Sequence, residues 1–409
     1  MKASMERPEQ LPLKALAVNT GAFSLCFAAW VMFGPSARLI AEEMHIDPAN
    51  AALLKSLPIL TGSLMRIPIG ILTDRLGARR VFTALAAVAA VAAIVLALSS
   101  GWAQLLAGAL AFGLIGATFV PGVQSVSSWT PASRQGYAMG IFGAGNVGTA
   151  LTAFGMPLLL ESLGWRGTFL CYGAVLAITA VGYWLLMRDA PARGPARSQL
   201  DLLCPLADIR TWRLGLYYAA TFGTFVGATL LLSDIYIDAF GVSLRTAGLI
   251  ATTFTFSSSI ARIWGGKCAD RFGASAVLRI ALAVSLVALA LLLAGPVLPI
   301  TALLFFVAGI AMGIGMAATM RYVPEYFPGS VGAVGGIVGA LGGLGGFALP
   351  LIAASIKVST GSVFLQVLPV VVLAGVALAA ESAVIFASAP VPALKGASRV
   401  AEAVVVEVE

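Results

Sequence analysis

Arg66 and Arg262 each interrupt a stretch otherwise apolar enough to cross a lipid bilayer, and a shift of 196 positions carries the first onto the second. The same shift carries Gly70 onto Gly266, Asp74 onto Asp270, Arg75 onto Arg271, Gly77 onto Gly273 and Ala78 onto Ala274. The chain therefore reads as a duplication whose halves each hold a cation at an equivalent depth. An arginine at the centre of a membrane helix costs about 2.5–3.5 kcal/mol on insertion scales. Such a cost usually marks a substrate path. The competing reading pairs the arginines with buried acids, but the candidates are poorly placed: Asp234, Asp238 and Glu161 fall near outer helix ends, Glu325 near an inner loop and Glu381 late in the last span. No carboxylate is expected deep among the spans.

A second constellation is built on glycine. The run Gly143-Ala-Gly145-Asn146-Val-Gly148 is followed by Pro157, and a later run holds Gly335, Gly336, Gly339, Gly342, Gly343, Gly345 and Gly346 before Pro350. Each glycine disfavours a helix by about 1 kcal/mol against alanine in water, so close backbone approach must compensate. Small-residue helix packing accounts for glycines alone; it has no need of Asn146. An amide amid a glycine face wants a partner, and its NH₂ donates to an anion. The serines Ser257, Ser258 and Ser259 lie one turn before Arg262, where membrane serines usually bond their own helix. His45, beside Glu42, Glu43 and Asp47, reads as a solvated loop residue.

These residues need helices to hold them. Of 409 residues 59% are hydrophobic and 11% charged, against roughly 25% charged in soluble proteins, and the mean hydropathy is +0.97. The chain is an integral membrane protein by composition. Stretches of about 20 residues, long enough to span, fall at 15–37, 51–73, 81–99, 102–124, 137–160, 166–187, 212–236, 246–267, 276–294, 298–322, 330–355 and 361–387. They lack the two-residue alternation of barrel strands and so predict an all-α protein of twelve transmembrane helices. With the amino terminus inside, eighteen Lys and Arg fall on inner loops and five on outer ones. The positive-inside rule then puts both termini in the cytoplasm. The net charge of +7 is thus a topology signal, not a nucleic-acid surface.

Residues 188–211 form the one long linker, rich in proline and charge, and divide a bundle at 1–187 from a second at 212–409. Two parallel six-helix repeats are the organisation of the major facilitator superfamily, whose substrate site lies between them near the midplane. The loop Gly70-Ile-Leu-Thr-Asp74-Arg75-Leu-Gly77 and its repeat Gly266-Lys-Cys-Ala-Asp270-Arg271-Phe-Gly273 resemble that superfamily's loop motif. An aspartate at a helix end beside arginines can latch neighbouring helices through charge-assisted hydrogen bonds; the plainer reading is a basic inner turn. Four scattered cysteines and one histidine support neither a disulfide framework nor a metal site, and no cofactor is implied. An enzyme would need a nucleophile–base pair or metal cluster that the sequence does not offer.

The G-x-G-N-x-G run with its proline, the second glycine helix ending Gly-Gly-Phe-x-x-Pro, and one arginine in each of the second and eighth spans resemble the nitrate/nitrite porters of the major facilitator superfamily. The similarity runs over nearly the whole chain. It implies that Arg66 and Arg262 bind the anion from opposite bundles and that Asn146 contacts it. Leu216-Tyr-Tyr218-Ala-Ala-Thr-Phe222-Gly223 resembles the family's Tyr-x-x-x-Phe-Gly, which makes Tyr218 a hydrogen-bonding phenol and Phe222 a ring one turn later. Phe27, three residues before Trp30, and Phe119 match further aromatic positions. Gly342, Gly343, Gly345 and Gly346 sit in the second signature. The resemblance implies a monomeric transporter of nitrate and nitrite in a bacterial-type cytoplasmic membrane. A porter for small carboxylates such as formate or oxalate is the alternative, and a membrane anion sensor is the alternative outside transport. With no Asp, Glu or His expected deep in the twelve spans, exchange of nitrate for nitrite is favoured over proton symport.

Overall fold

The computed structural model describes residues 10–131, 134–188, 204–327 and 331–386. Among these residues the chain is helical throughout, with no strand. In the first half, α1 (Gln10–Trp30), α2 (Phe33–Glu43), α3 (Pro48–Leu64) and α4 (Arg66–Leu76) lead to α5 (Ala78–Ala97) and α6 (Trp102–Gly113). A 3₁₀ turn, Leu114–Thr118, joins α6 to α7 (Phe119–Trp129); α8 (Gln135–Gly143) passes through a second, Ala144–Val147, into α9 (Gly148–Leu186). The second half comprises α10 (Ile209–Tyr218), a π-helical turn Ala219–Gly223, α11 (Thr224–Phe240), α12 (Leu244–Phe272), α13 (Ala274–Leu292), α14 (Leu298–Tyr326), α15 (Val331–Thr360) and α16 (Leu368–Phe386).

Among the described residues, ten continuous stretches are long and apolar enough to cross a membrane. One runs from Gly136 to Leu186 and is broken at Gly164, whose φ of 62° and ψ of 178° turn the chain. Only glycine enters that backbone region without a Cβ penalty. The helix α12 falls outside the ten; Arg245, Arg262, Lys267, Asp270 and Arg271 all lie on it, which dilutes its hydropathy. The duplication recurs in the backbone: α4 stops at Gly77 (φ 86°, ψ 150°) and α12 at Gly273 (φ 84°, ψ 143°).

Part of the expected linker, residues 189–203, lies outside the described residues, as do both chain ends. The remainder is shorter than the spacing suggests, because α10 starts at Ile209, inside the 188–211 segment. Asp208 caps it, accepting from the Arg210 backbone N–H at 2.8 Å. The Arg210 guanidinium hydrogen-bonded to it holds this carboxyl below the usual carboxylate range.

Candidate anion site

Two helices that approach from opposite halves of the chain carry the arginines to one buried seam. The chain breaks at Met65 between α3 and α4, so Arg66 is the first residue of a new helix. Its side chain is fully buried. Nε donates to the Gly116 carbonyl at 3.2 Å, in the turn before α7, and Nη1 donates to the Gly339 carbonyl of α15 at 2.6 Å. Nη2 has no partner. The rings of Trp30, Phe119 and Phe222 each lie with their centroids 5.2 Å from the Arg66 Cζ. That is within cation–π range.

Arg262 is 1% exposed on α12, and its surroundings differ. Nη2 approaches the Tyr218 hydroxyl at 3.4 Å, Nη1 the Met316 thioether at 3.5 Å, and Nε has no partner. The guanidinium lies across Gly143 of the first half, where an added methyl would overlap it. Tyr218 links the two arginines: its hydroxyl meets Arg262, and its ring stacks on Phe222, which lies over Arg66. Neither arginine forms an ion pair with a described carboxylate. Two cations out of water with carbonyl, sulfur and phenol partners only are an unfavourable arrangement, and an anion between them would relieve it.

The remaining expected residues divide clearly. Asn146, in the 3₁₀ turn of the glycine run, is fully buried, and neither amide atom has a partner among the described residues. Tyr218 stacks on Phe222 with ring centroids 4.9 Å apart and planes 13° apart. Phe222 sits in the π-helical turn, a device that re-aims side chains and recurs at functional sites. Phe27 lies 6.2 Å from Phe222, centroid to centroid, and Phe119 joins the same cluster through Phe23. Of the glycines, Gly145 and Gly148 abut α1 at Phe23 and at the Ser24 carbonyl. Gly342 underlies the Tyr218 ring, Gly345 touches Ala219, Gly346 faces Val226, and Gly343 faces Ser63 of α3. In this way α15 reaches both halves.

Asp270 lies away from this site. The Asp74 side chain lies outside the described residues; Arg75 is exposed at the end of α4. Asp270 accepts from Arg321 Nε at 2.7 Å and from the Tyr137 backbone N–H at 3.1 Å. Tyr137 lies in the first turn of α8 in the other half, so the carboxylate also satisfies a free helix-start donor. Arg271, next in sequence, rests on Phe272 instead. At the opposite end, Lys55 of α3 pairs with Asp234 of α11 at 2.9 Å, again across the halves.

Several residues at the site were not expected. Trp30, Phe23 and Phe142 complete the ring cluster, and their only advance signal was helical spacing from Phe27 and Gly143. The Gly116 and Gly339 carbonyls are main-chain groups that residue type does not advertise. Glu381, late in the last helix as the sequence reading has it, is 2% exposed and accepts from Ser275 at 2.6 Å and Tyr322 at 2.8 Å. It belongs to a separate polar cluster and touches neither arginine. Ser257 and Ser259 bond carbonyls of their own helix, at Phe254 and Thr255.

A family model described as Major Facilitator Superfamily matches residues 20–241 and 214–407. The "Probable nitrate/nitrite antiporter NarK1" of Thermus thermophilus is 36% identical, over 87% of this chain and 87% of that protein. The "Nitrite extrusion protein" of Bacillus subtilis is 31% identical over 86% and 88%. Among solved structures, the human organic anion transporter MFSD10 matches with a TM-score of 0.70 at 20% identity, covering 90% of this chain and 99% of that one. These matches and the helical architecture agree: the chain is an integral membrane transporter of the Major Facilitator Superfamily and belongs to its nitrate/nitrite porter family.

Proposed function

We propose that this protein moves nitrate and nitrite across a bacterial cytoplasmic membrane by alternating access, exchanging one for the other. The observation that carries this reading is the convergence of Arg66 and Arg262 from opposite halves on one buried seam, with Arg66 Nη2, Arg262 Nε and the Asn146 amide left without protein partners. Nitrate is flat, trigonal and singly charged, and a guanidinium fork meets two of its oxygens in plane. The rings of Phe222, Phe119 and Trp30 exclude water and suit a flat ion. The names borne by the Thermus and Bacillus relatives support the same substrates.

Alternating access requires contacts that break on one face while the other closes. Asp270 with Tyr137 and Lys55 with Asp234 are the pairs suited to that task, each joining the halves at one end. Read this way, residues 1–187 and 212–409 are two six-helix bundles, the chain crosses the membrane twelve times with both termini in the cytoplasm, and a single copy suffices.

Exchange follows from charge. An anion-free site must carry two cations through the closed form, whereas an occupied one carries less excess charge. The Arg66–Gly339 bond also ties the halves together when no anion competes for the guanidinium. In proteoliposomes, nitrite should compete with nitrate uptake, while sulfate and phosphate at equal concentration should leave it unchanged. Inhibition by the tetrahedral ions as strong as that by nitrite would remove the planar-site reading and favour a broader organic-anion porter.

A further inference from the structure

Trp30 is the last residue of α1 and is 1% exposed. Its indole N–H donates to the Pro58 carbonyl of α3 at 2.9 Å. The ring is wedged between Gly62 of α3 and Gly116 of the turn before α7; a methyl on either glycine would overlap the indole. The carbonyl of that same Gly116 accepts from Arg66 Nε, and the indole centroid lies 5.2 Å from Arg66 Cζ. One side chain thus touches the helix before the Arg66 break, the turn that bonds Arg66, and the guanidinium itself. The 196-position shift that equates the arginines carries Trp30 onto Val226, and no ring cage surrounds Arg262 among the described contacts.

We infer that Trp30 is a positioning residue: it fixes the Arg66 guanidinium against the Gly116 carbonyl and so sets the affinity of the first-half side of the anion site. Arg262, held only by longer contacts to Tyr218 and Met316, is the arm that adjusts to the anion. The two cations are equivalent in sequence and unequal in restraint. Phenylalanine at position 30 keeps a ring face and loses the N–H; leucine loses both.

The kinetic part of the test rests on the nitrate reading, and a spectroscopic part does not. In nitrite-loaded proteoliposomes, Trp30→Leu should raise the KM for nitrate about tenfold while kcat stays within twofold, and Trp30→Phe should fall between leucine and wild type. In purified protein labelled with ¹⁵N-arginine, the Arg66 Nε–H signal, assigned by its loss in Arg66→Lys, should exchange slowly in wild type and rapidly in Trp30→Leu. Loss of kcat at unchanged KM would make Trp30 a packing residue only, and an Arg66 Nε–H that stays protected in the leucine variant would overturn the inference whatever the anion. A wild-type protein inert to nitrate, with the exchange difference intact, would contradict the substrate and leave the positioning role standing.

Discussion

At the residue scale the account depends on guanidinium geometry, not on charge alone. Each arginine engages a carbonyl, a phenol or a thioether with part of its fork and keeps one nitrogen unpartnered. Lysine keeps the charge but offers a compact ammonium that cannot serve two oxygens in plane. Arg66→Lys and Arg262→Lys should therefore each lower nitrate flux by about tenfold or more at equal protein level, measured in proteoliposomes. Near-normal flux in either would remove the fork argument for that residue. Arg66→Lys should be the more destabilising of the two, since an ammonium cannot reproduce the forked bonds to the Gly116 and Gly339 carbonyls or the stacking of a planar guanidinium among three rings. The arginines were legible beforehand because a cation in an apolar stretch stands out and because the duplication presents it twice. Their partners were not: Gly116 and Gly339 act through carbonyls, and any residue supplies one.

Two helices brought to unusually close approach define the site at the element scale. The helix α8 runs past α12 so closely that a methyl on Gly143 would strike the Arg262 guanidinium, and one on Gly140 would come within 2.8 Å of the Arg262 carbonyl. The glycines, costly for helix formation, are compensated by this contact between halves. Gly143→Ala should displace the guanidinium and cut nitrate exchange by about tenfold with little change in thermal unfolding. Gly155→Ala, three turns further on where a methyl would meet nothing within 4 Å, should leave exchange unchanged. Equal effects of the two substitutions, read by exchange and by melting, would show that glycine serves the helix generally and not the site. The glycine pattern announced tight packing in advance, and Asn146 announced a polar purpose. Which face of an apolar helix turns inward was harder to read, because hydropathy is nearly uniform around it. For that reason Trp30, Phe23 and the buried Glu381 emerged only once the helices were placed, and the π-helical turn that aims Phe222 had no sequence signature.

For the whole molecule, the duplication brings one arginine from each half to a common seam, and charged contacts between halves lie at both ends of it. Asp270 meets Tyr137 at one and Lys55 meets Asp234 at the other, while both arginines are sealed from solvent between them. The repeat was visible in the sequence as a 196-position shift, and it recurs as matching glycine turns at Gly77 and Gly273. The partner choices that break the symmetry were not visible: Asp270 bonds Arg321 instead of its neighbour Arg271, and Arg66 has a ring cage that Arg262 lacks among the described residues. Glu381, bonded to Ser275 and Tyr322, lies apart from the arginines, so the pair itself carries the argument for exchange. Uptake of labelled nitrate into vesicles preloaded with nitrite, compared with vesicles containing no permeant anion, tests that claim most directly. The account predicts rapid entry into the nitrite-loaded vesicles and slow entry into the anion-free ones at every imposed pH gradient. Rapid uphill entry into anion-free vesicles, driven by an inward proton gradient and abolished by a protonophore, would contradict it.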